Sequence, residues 1–290
     1  MSARKAVWRI WIVHPPALPP TSLAPLPPIA PPARAAKTSR PHCAVVVRVK
    51  RTDTDLYAGR AARREALLAR KAFLCQCSRC VAPPPSDAHL DGWRCGAEMC
   101  RGGAVPVEAT VCATCGAAHA LAPSARAAIE QRWRQEVDAL WSTLVGESAT
   151  MAEAARNVLP AANRLLEACE ARLTEDHMLA HRLRVIQSYC FEHWAMHLPN
   201  APPGALVAVL DDCLRSMRRH LPRASAYLSH FMYRRAKALQ QQSAATVTTP
   251  KQRAALRKRA REAALEAAEN LALAYGSDHP LVAEWRTACL

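Results

Sequence analysis

The residues with chemistry to offer are thiols, and seven of the twelve cysteines fall within residues 75–115. Cys75, Cys77 and Cys80 form C-x-C-x2-C, Cys95 and Cys100 form C-x4-C, and Cys112 and Cys115 form C-x2-C followed at once by Gly116. Short thiol pairs on tight turns converge on one metal ion, and Gly102, Gly103 and Gly116 supply the backbone freedom such turns need. Four thiolates around Zn2+ close a tetrahedron and leave no position for substrate, so the chemistry is structural rather than catalytic.

Counting ligands separates two sites. Cys95, Cys100, Cys112 and Cys115 already total four, as in a zinc ribbon or knuckle. Cys75, Cys77 and Cys80 supply three, so a fourth ligand must come from elsewhere, with Cys43 the nearest candidate. His119, four residues past Cys115, and His89, between the clusters, are alternatives ranked below the thiols. A disulfide-rich secreted module is the competing reading. Trp8 to Val13 is too short for a secretory core, and the other cysteines are scattered, so that reading is set aside.

The run 55–80, DLYAGRAARREALLARKAFLCQCSRC, resembles the end of the SET domain and the post-SET cysteine motif of SET-and-MYND (SMYD-like) proteins, and YGSDHPLVAEW (Tyr275 to Trp285) is similar to their closing helical repeat. The resemblance runs over roughly the last four-fifths of the chain and is most specific at the cysteines. It implies a relative of the S-adenosyl-L-methionine-dependent protein-lysine methyltransferases. On that basis Phe73, two residues before Cys75, matches the aromatic that packs on the cofactor's adenine, or else it plugs the zinc site. The family's fourth ligand to the C-x-C-x2-C zinc comes from an Asn-His-x-Cys motif, and Cys43 sits slightly downstream of that place.

The departures concern catalysis. SRPHCAVVV stands where Asn-His-x-Cys is expected, and RVKRTDTDLY where a Glu-containing turn and a Ser-Tyr pair should follow. In a lysine methyltransferase the Asn side chain holds the cofactor's amino-acid end, and a tyrosine hydroxyl positions the amine for in-line attack. Asp53 or Thr54 falls at the tyrosine's place and neither can do its work. The upstream SET strands and MYND finger have no counterpart in residues 1–42. The expectation is a zinc-binding scaffold, inactive by itself, with no catalytic residue assigned; an active methyltransferase and a basic zinc protein binding nucleic acid are the alternatives.

The elements around these residues follow from composition. The 290 residues allow about two modest domains, and a net charge of +15 favours acidic partners. No apolar run approaches the ~20 residues of a membrane span, so no membrane role is expected. Residues 1–42 read as a disordered, Pro-rich basic leader, either an organelle transit segment or without a role. Residues 43–74 read as the remnant of the SET end, with a strand at Cys43 to Val49 and a basic helix carrying Arg60, Arg63, Arg64, Arg70 and Lys71 on a solvated face, a sequence-independent phosphate contact to nucleic acid being the alternative. Arg79 offsets thiolate charge or is simply solvated. Residues 75–122 are the zinc module.

Residues 123–290 read as helices alone, stacked as a tetratricopeptide-like repeat domain. Ser124 is expected to cap the first of them, Thr150 and Glu153 to form a capping box for the second, and Pro160 to kink or divide that second helix. A short last helix buries Leu281, Val282 and Trp285. Arg182, Arg184, Arg218, Arg219, Arg234 and Arg235 imply a groove for an acidic protein segment. The pairs His177/His181 and His193/His197 have metal spacing on a helix but lack a third ligand, and read as polar surface. Cys169, Cys190, Cys213 and Cys289 read as small buried hydrophobes. A cytoplasmic or nuclear location is expected.

Overall fold

The computed structural model describes residues 57, 59–71, 74–76, 78–81, 87–100, 102–146, 151–197, 204–244 and 249–287. The Pro-rich leader, the strand expected at 43–49, Asp53, Thr54, Thr150, Cys289 and the expected site residues Cys43, Phe73 and Cys77 lie outside them.

The fold is mostly helical. Among the described residues, three helices precede the main stack: α1 (Arg60–Lys71), α2 (Ser78–Val81) and α3 (Ala88–Asp91). An antiparallel ribbon follows, β1 (Gly92–Arg94) and β2 (Ala104–Pro106), in register Gly92 to Pro106, Trp93 to Val105 and Arg94 to Ala104. Then come α4 (Pro123–Val145), α5 (Met151–Glu170), α6 (Met178–His197), α7 (Ala205–His220), α8 (Ala226–Ala244), α9 (Pro250–Tyr275) and α10 (Pro280–Thr287). From α4 on, each helix packs against the next, and α4 also reaches α6. No described helix is long and apolar enough to cross a membrane.

Local expectations fail in instructive ways. Ser124 does not cap α4, because the helix already starts at Pro123, where a missing N–H is harmless. Pro160 does not divide α5, which runs unbroken through it. Pro160 and Arg156, whose carbonyl loses its helical partner, both lie on the exposed face, where water can reach a freed carbonyl. In α10 only Val282 and Trp285 are buried, and Leu281 lies exposed on the other face.

Two apolar clusters make the core. One joins α4, α5 and α6 through Trp133, Val137, Leu144, Val158, Ala162 and Leu183, and takes in Trp93 of β1. The other joins α7 to α10 through Leu210, Met217, Phe231, Leu239, Leu271 and Trp285, and takes in Tyr57 and Leu90. Segments preceding the stack are thus pinned into both. Tyr57 stacks on His181 at 3.9 Å between ring centres. Its hydroxyl bonds Ser216 Oγ, which donates to Asp176 Oδ1 at 2.6 Å.

Candidate metal centre

Cys95 leaves the end of β1 and its amide donates to the Gly103 carbonyl at 2.9 Å, so the loop 95–103 closes the tip of the ribbon. The Cys100 amide turns back onto the Ala97 carbonyl. A second turn carries Cys112 and Cys115: the Gly116 amide donates to the Cys112 carbonyl at 2.8 Å, and Gly116 takes a positive φ of 72° that other residues adopt only under strain. The Cys112 amide then bonds the Ala117 carbonyl, and Val111 bridges Ala118. Two thiol-bearing turns are thereby held face to face.

The four sulfurs lie within 4.8 Å of one another. Cys95 and Cys115 are 3.6 Å apart and Cys100 and Cys112 are 3.7 Å apart. Thiolates at ~2.3 Å from one tetrahedral ion stand ~3.8 Å from each other, so the cluster has the dimensions of a filled four-thiolate site and can hold a metal ion. Hydrogen bonds with the Cys115 thiol, with burial and the remaining thiols, push Cys100 up to about 12. At Cys112 burial acts upward but is outweighed by backbone hydrogen bonds from Cys115 and Thr114 and by Cys100 and Cys95, and the thiol falls to about 6. Four thiolates cannot coexist at this separation without a cation, and a dication displaces the protons as it binds.

Gly103 is required for a different reason than Gly116. A Cβ at Gly103 would stand 2.4 Å from the Cys100 sulfur and 2.6 Å from the Cys112 sulfur, inside both van der Waals radii. We expect Gly103→Ala to weaken metal retention at least tenfold in chelator competition. Gly102→Ala meets open space and only the strain of φ 79°, about 1 kcal/mol, and should keep its metal. Equal retention by the two variants would show that the sulfurs need no such close approach.

The cluster is fastened to the helices. Trp93 is buried against Trp133, ring centres 5.9 Å apart and nearly parallel. β1 also pairs with the segment after α5: the Arg94 amide donates to the Arg172 carbonyl at 2.8 Å and the Thr174 amide to the Gly92 carbonyl at 3.1 Å. From α4 the fully buried Arg126 donates to the carbonyls of Val107, at 2.9 Å, and Ala109.

The other expected residues divide. His119 is not in the tetrahedron: its Nδ1 accepts the Leu121 amide at 3.1 Å and its ring stands edge-on to Trp93. His89 is exposed and outside the cluster, its carbonyl taken by Thr174 Oγ1. Cys75 and Cys80 are buried together with Leu67. Arg63, expected on a solvated face, is buried instead, 2.6 Å from Asp87 and 3.9 Å from the Cys80 sulfur. Among the described residues no other three His, Cys, Asp or Glu side chains converge on a point.

His177 and His181, expected on polar surface, are buried. His177 Nδ1 accepts the Leu179 amide at 3.1 Å and so closes the start of α6. Burial holds both imidazoles down at about 3. Spacing also did not reveal a cleft of about 390 Å³ whose walls include Asp87, Asp91, Glu108 and Glu130 from separate segments. Burial, then the neighbouring Asp87, Glu130 and Glu108, raises Asp91 to about 6.

The six arginines read as a groove for an acidic partner each meet a carboxylate of this chain. Arg182 pairs with Asp138, Arg184 with Glu170, Arg218 with Glu266, Arg219 with Glu175 and Asp176, Arg234 with Glu192, and Arg235 with Asp211. Their charge is largely neutralised within the stack. Compared with known proteins, the chain matches no family model and no curated sequence.

Proposed function

We propose that this protein is a zinc-dependent, helical protein-interaction scaffold of SMYD-like character that does not itself transfer methyl groups. The observation that carries the reading is the four-thiol tetrahedron of Cys95, Cys100, Cys112 and Cys115, which leaves no position for substrate and sits on a ribbon that stacks on Trp133 of α4 and pairs with the segment after α5. Zinc is the ion that four thiolates in a tetrahedral site suit best. The post-SET-like spacing of 75–80 supports the family reading, with Cys75, Cys77, Cys80 and Cys43 as a second zinc site and Phe73 as the only cofactor contact to survive. Consecutive packing of α4 to α10 supports a tetratricopeptide-like stack, whose partner is a protein segment. An acidic segment as that partner draws on the net charge of +15 rather than on the stack's arginines, which pair with carboxylates of this chain.

Calorimetric titration of the zinc-loaded chain with S-adenosylmethionine, with zinc content measured on the same sample, tests this. We expect no heat of binding and two zinc ions per chain. Micromolar binding of the cofactor would overturn the scaffold reading. One zinc ion per chain would leave it standing but show that Cys43 does not complete the second site.

A further inference from the structure

The four sulfurs of the metal centre are not equivalent. They divide into an outward pair, Cys95 and Cys115, 3.6 Å apart, and an inward pair, Cys100 and Cys112, 3.7 Å apart. Cys112 is buried, and the inward pair lies against the backbone at Gly103, where even a Cβ would collide with both sulfurs. Backbone amides reach this pair as well, from Gly103 at Cys100 and from Thr114 and Cys115 at Cys112. Such bonds stabilise the charge of a thiolate and blunt it as a nucleophile. The Ala97 amide does the same at Cys95, which is half-buried, and Cys115 is the exposed member of the four. A reagent arriving from solvent therefore meets Cys115 first, with the Cys95 sulfur directly beside it.

We infer that Cys115 is a site of oxidative modification, at which hydrogen peroxide links it to Cys95 and so empties the metal centre. Zinc in the cluster, as proposed above, is the premise, because coordination keeps the exposed sulfur a thiolate at neutral pH. The Cys115 thiolate attacks one peroxide oxygen: an S–O bond forms, the O–O bond breaks and hydroxide leaves. The Cys95 thiolate, 3.6 Å away, then attacks the sulfenic sulfur: an S–S bond forms, the S–O bond breaks and a second hydroxide leaves. Two protons from solvent turn both hydroxides into water, so the thiol pair has lost two electrons and the peroxide has gained them. Reaching the ~2.05 Å of a disulfide moves the two sulfurs together by about 1.5 Å, a small shift for side chains on turns. Only Cys100 and Cys112 remain as ligands, and two thiolates do not close a tetrahedron around Zn2+. Because the new bond joins the two turns, the tip of the ribbon stays closed without its ion, and a thiol reductant with zinc restores the site.

The test treats the full zinc-loaded chain with hydrogen peroxide, follows released zinc with a chromogenic chelator, and maps disulfides by mass spectrometry after alkylation and trypsin. Cleavage after Arg94, Arg101 and Arg126 puts Cys95 and Cys100 on one peptide and Cys112 and Cys115 on another. A bond between the turns therefore joins the two peptides, and a bond within one turn does not. We expect joined peptides with Cys100 and Cys112 alkylated, formed in step with zinc release and reversed by a thiol reductant. Cys115→His keeps a fourth ligand and should release this zinc at least tenfold more slowly, while Cys190→Ala, a buried thiol elsewhere, should match the parent. The disulfide map of the parent decides without either variant. Zinc retained by the parent under peroxide, disulfides only within a turn, a bond between Cys100 and Cys112, or release from Cys115→His at the parent's rate would each overturn the inference. A reduced chain that takes up no zinc would overturn the zinc reading itself, and this inference with it.

Discussion

Cys112→Ser is expected to strip the metal from the cluster, and with it the packing of the ribbon on the first half of the helical stack. Cys112 is 1% exposed and faces Cys100, so its loss leaves three sulfurs and a buried hydroxyl that binds zinc poorly. For structural zinc sites the binding free energy, of the order of 10 kcal/mol, is largely folding free energy. Within itself the ribbon is weak, because β1 and β2 are three residues each and a two-stranded ribbon is marginal alone. Yet it delivers Trp93 into the cluster around Trp133, and exposing such a side chain costs about 3 to 5 kcal/mol. The variant should lose one metal ion per chain by elemental analysis, melt well below the parent, and show red-shifted tryptophan emission. Cys190→Ala, a buried thiol outside the cluster, should keep its metal. If metal is lost while melting and emission stay as in the parent, the ribbon holds without the ion.

Lowering the pH from 7 to 4 is expected to destabilise the fold through His177 and His181. Each is held at about 3 in the folded state by burial, against 6.5 when unfolded. Below 6.5 the unfolded chain takes up protons that the folded chain refuses, so this stability is complete above that pH and is lost as it falls. At pH 4 the loss is about 3 kcal/mol for each ring. Asp91 acts in the opposite sense: raised to about 6, it takes a proton in the folded state first and returns about 2 kcal/mol over the same interval. The histidines win. Asp176, which burial disfavours as an anion but which His220, Ser216 and Arg219 hold well below the usual carboxylate range by hydrogen bonds, keeps its contribution until lower pH. Acid also releases thiolate-bound metal, so the measurement is a comparison. Urea unfolding of the parent and of His181→Phe, which keeps a ring against Tyr57, should differ between pH 6.5 and 4 by about one proton in slope. Parallel curves would mean that His181 is not buried as a neutral ring.

Both expectations rest on features of unequal visibility in the sequence. The four ligands of the metal centre were legible, since C-x4-C and C-x2-C with glycines beside them leave few other conformations. The helices from α4 on were legible from apolar periodicity, including the alanine stripe of α9. The buried histidines were not: their spacing is the same whether they face water or the interior, and what decides is Tyr57, more than a hundred residues upstream, for His181 and Glu130 of α4 for His177. The burial of Arg63 is hidden from its helix for the same reason, since the carboxylate and sulfur beside it lie beyond that helix.

The sequence by itself determined which thiols can share an ion, which segments are helical, and that the chain carries a large positive charge. Those properties are local, set by spacings of a few residues and by composition. Tertiary structure alone decided which of those charges are met: arginines on α6, α7 and α8 pair with carboxylates from neighbouring helices. It also decided that the metal ribbon is part of the core, because Trp93 gains its burial from Trp133 and Leu173, partners that no spacing within the ribbon encodes.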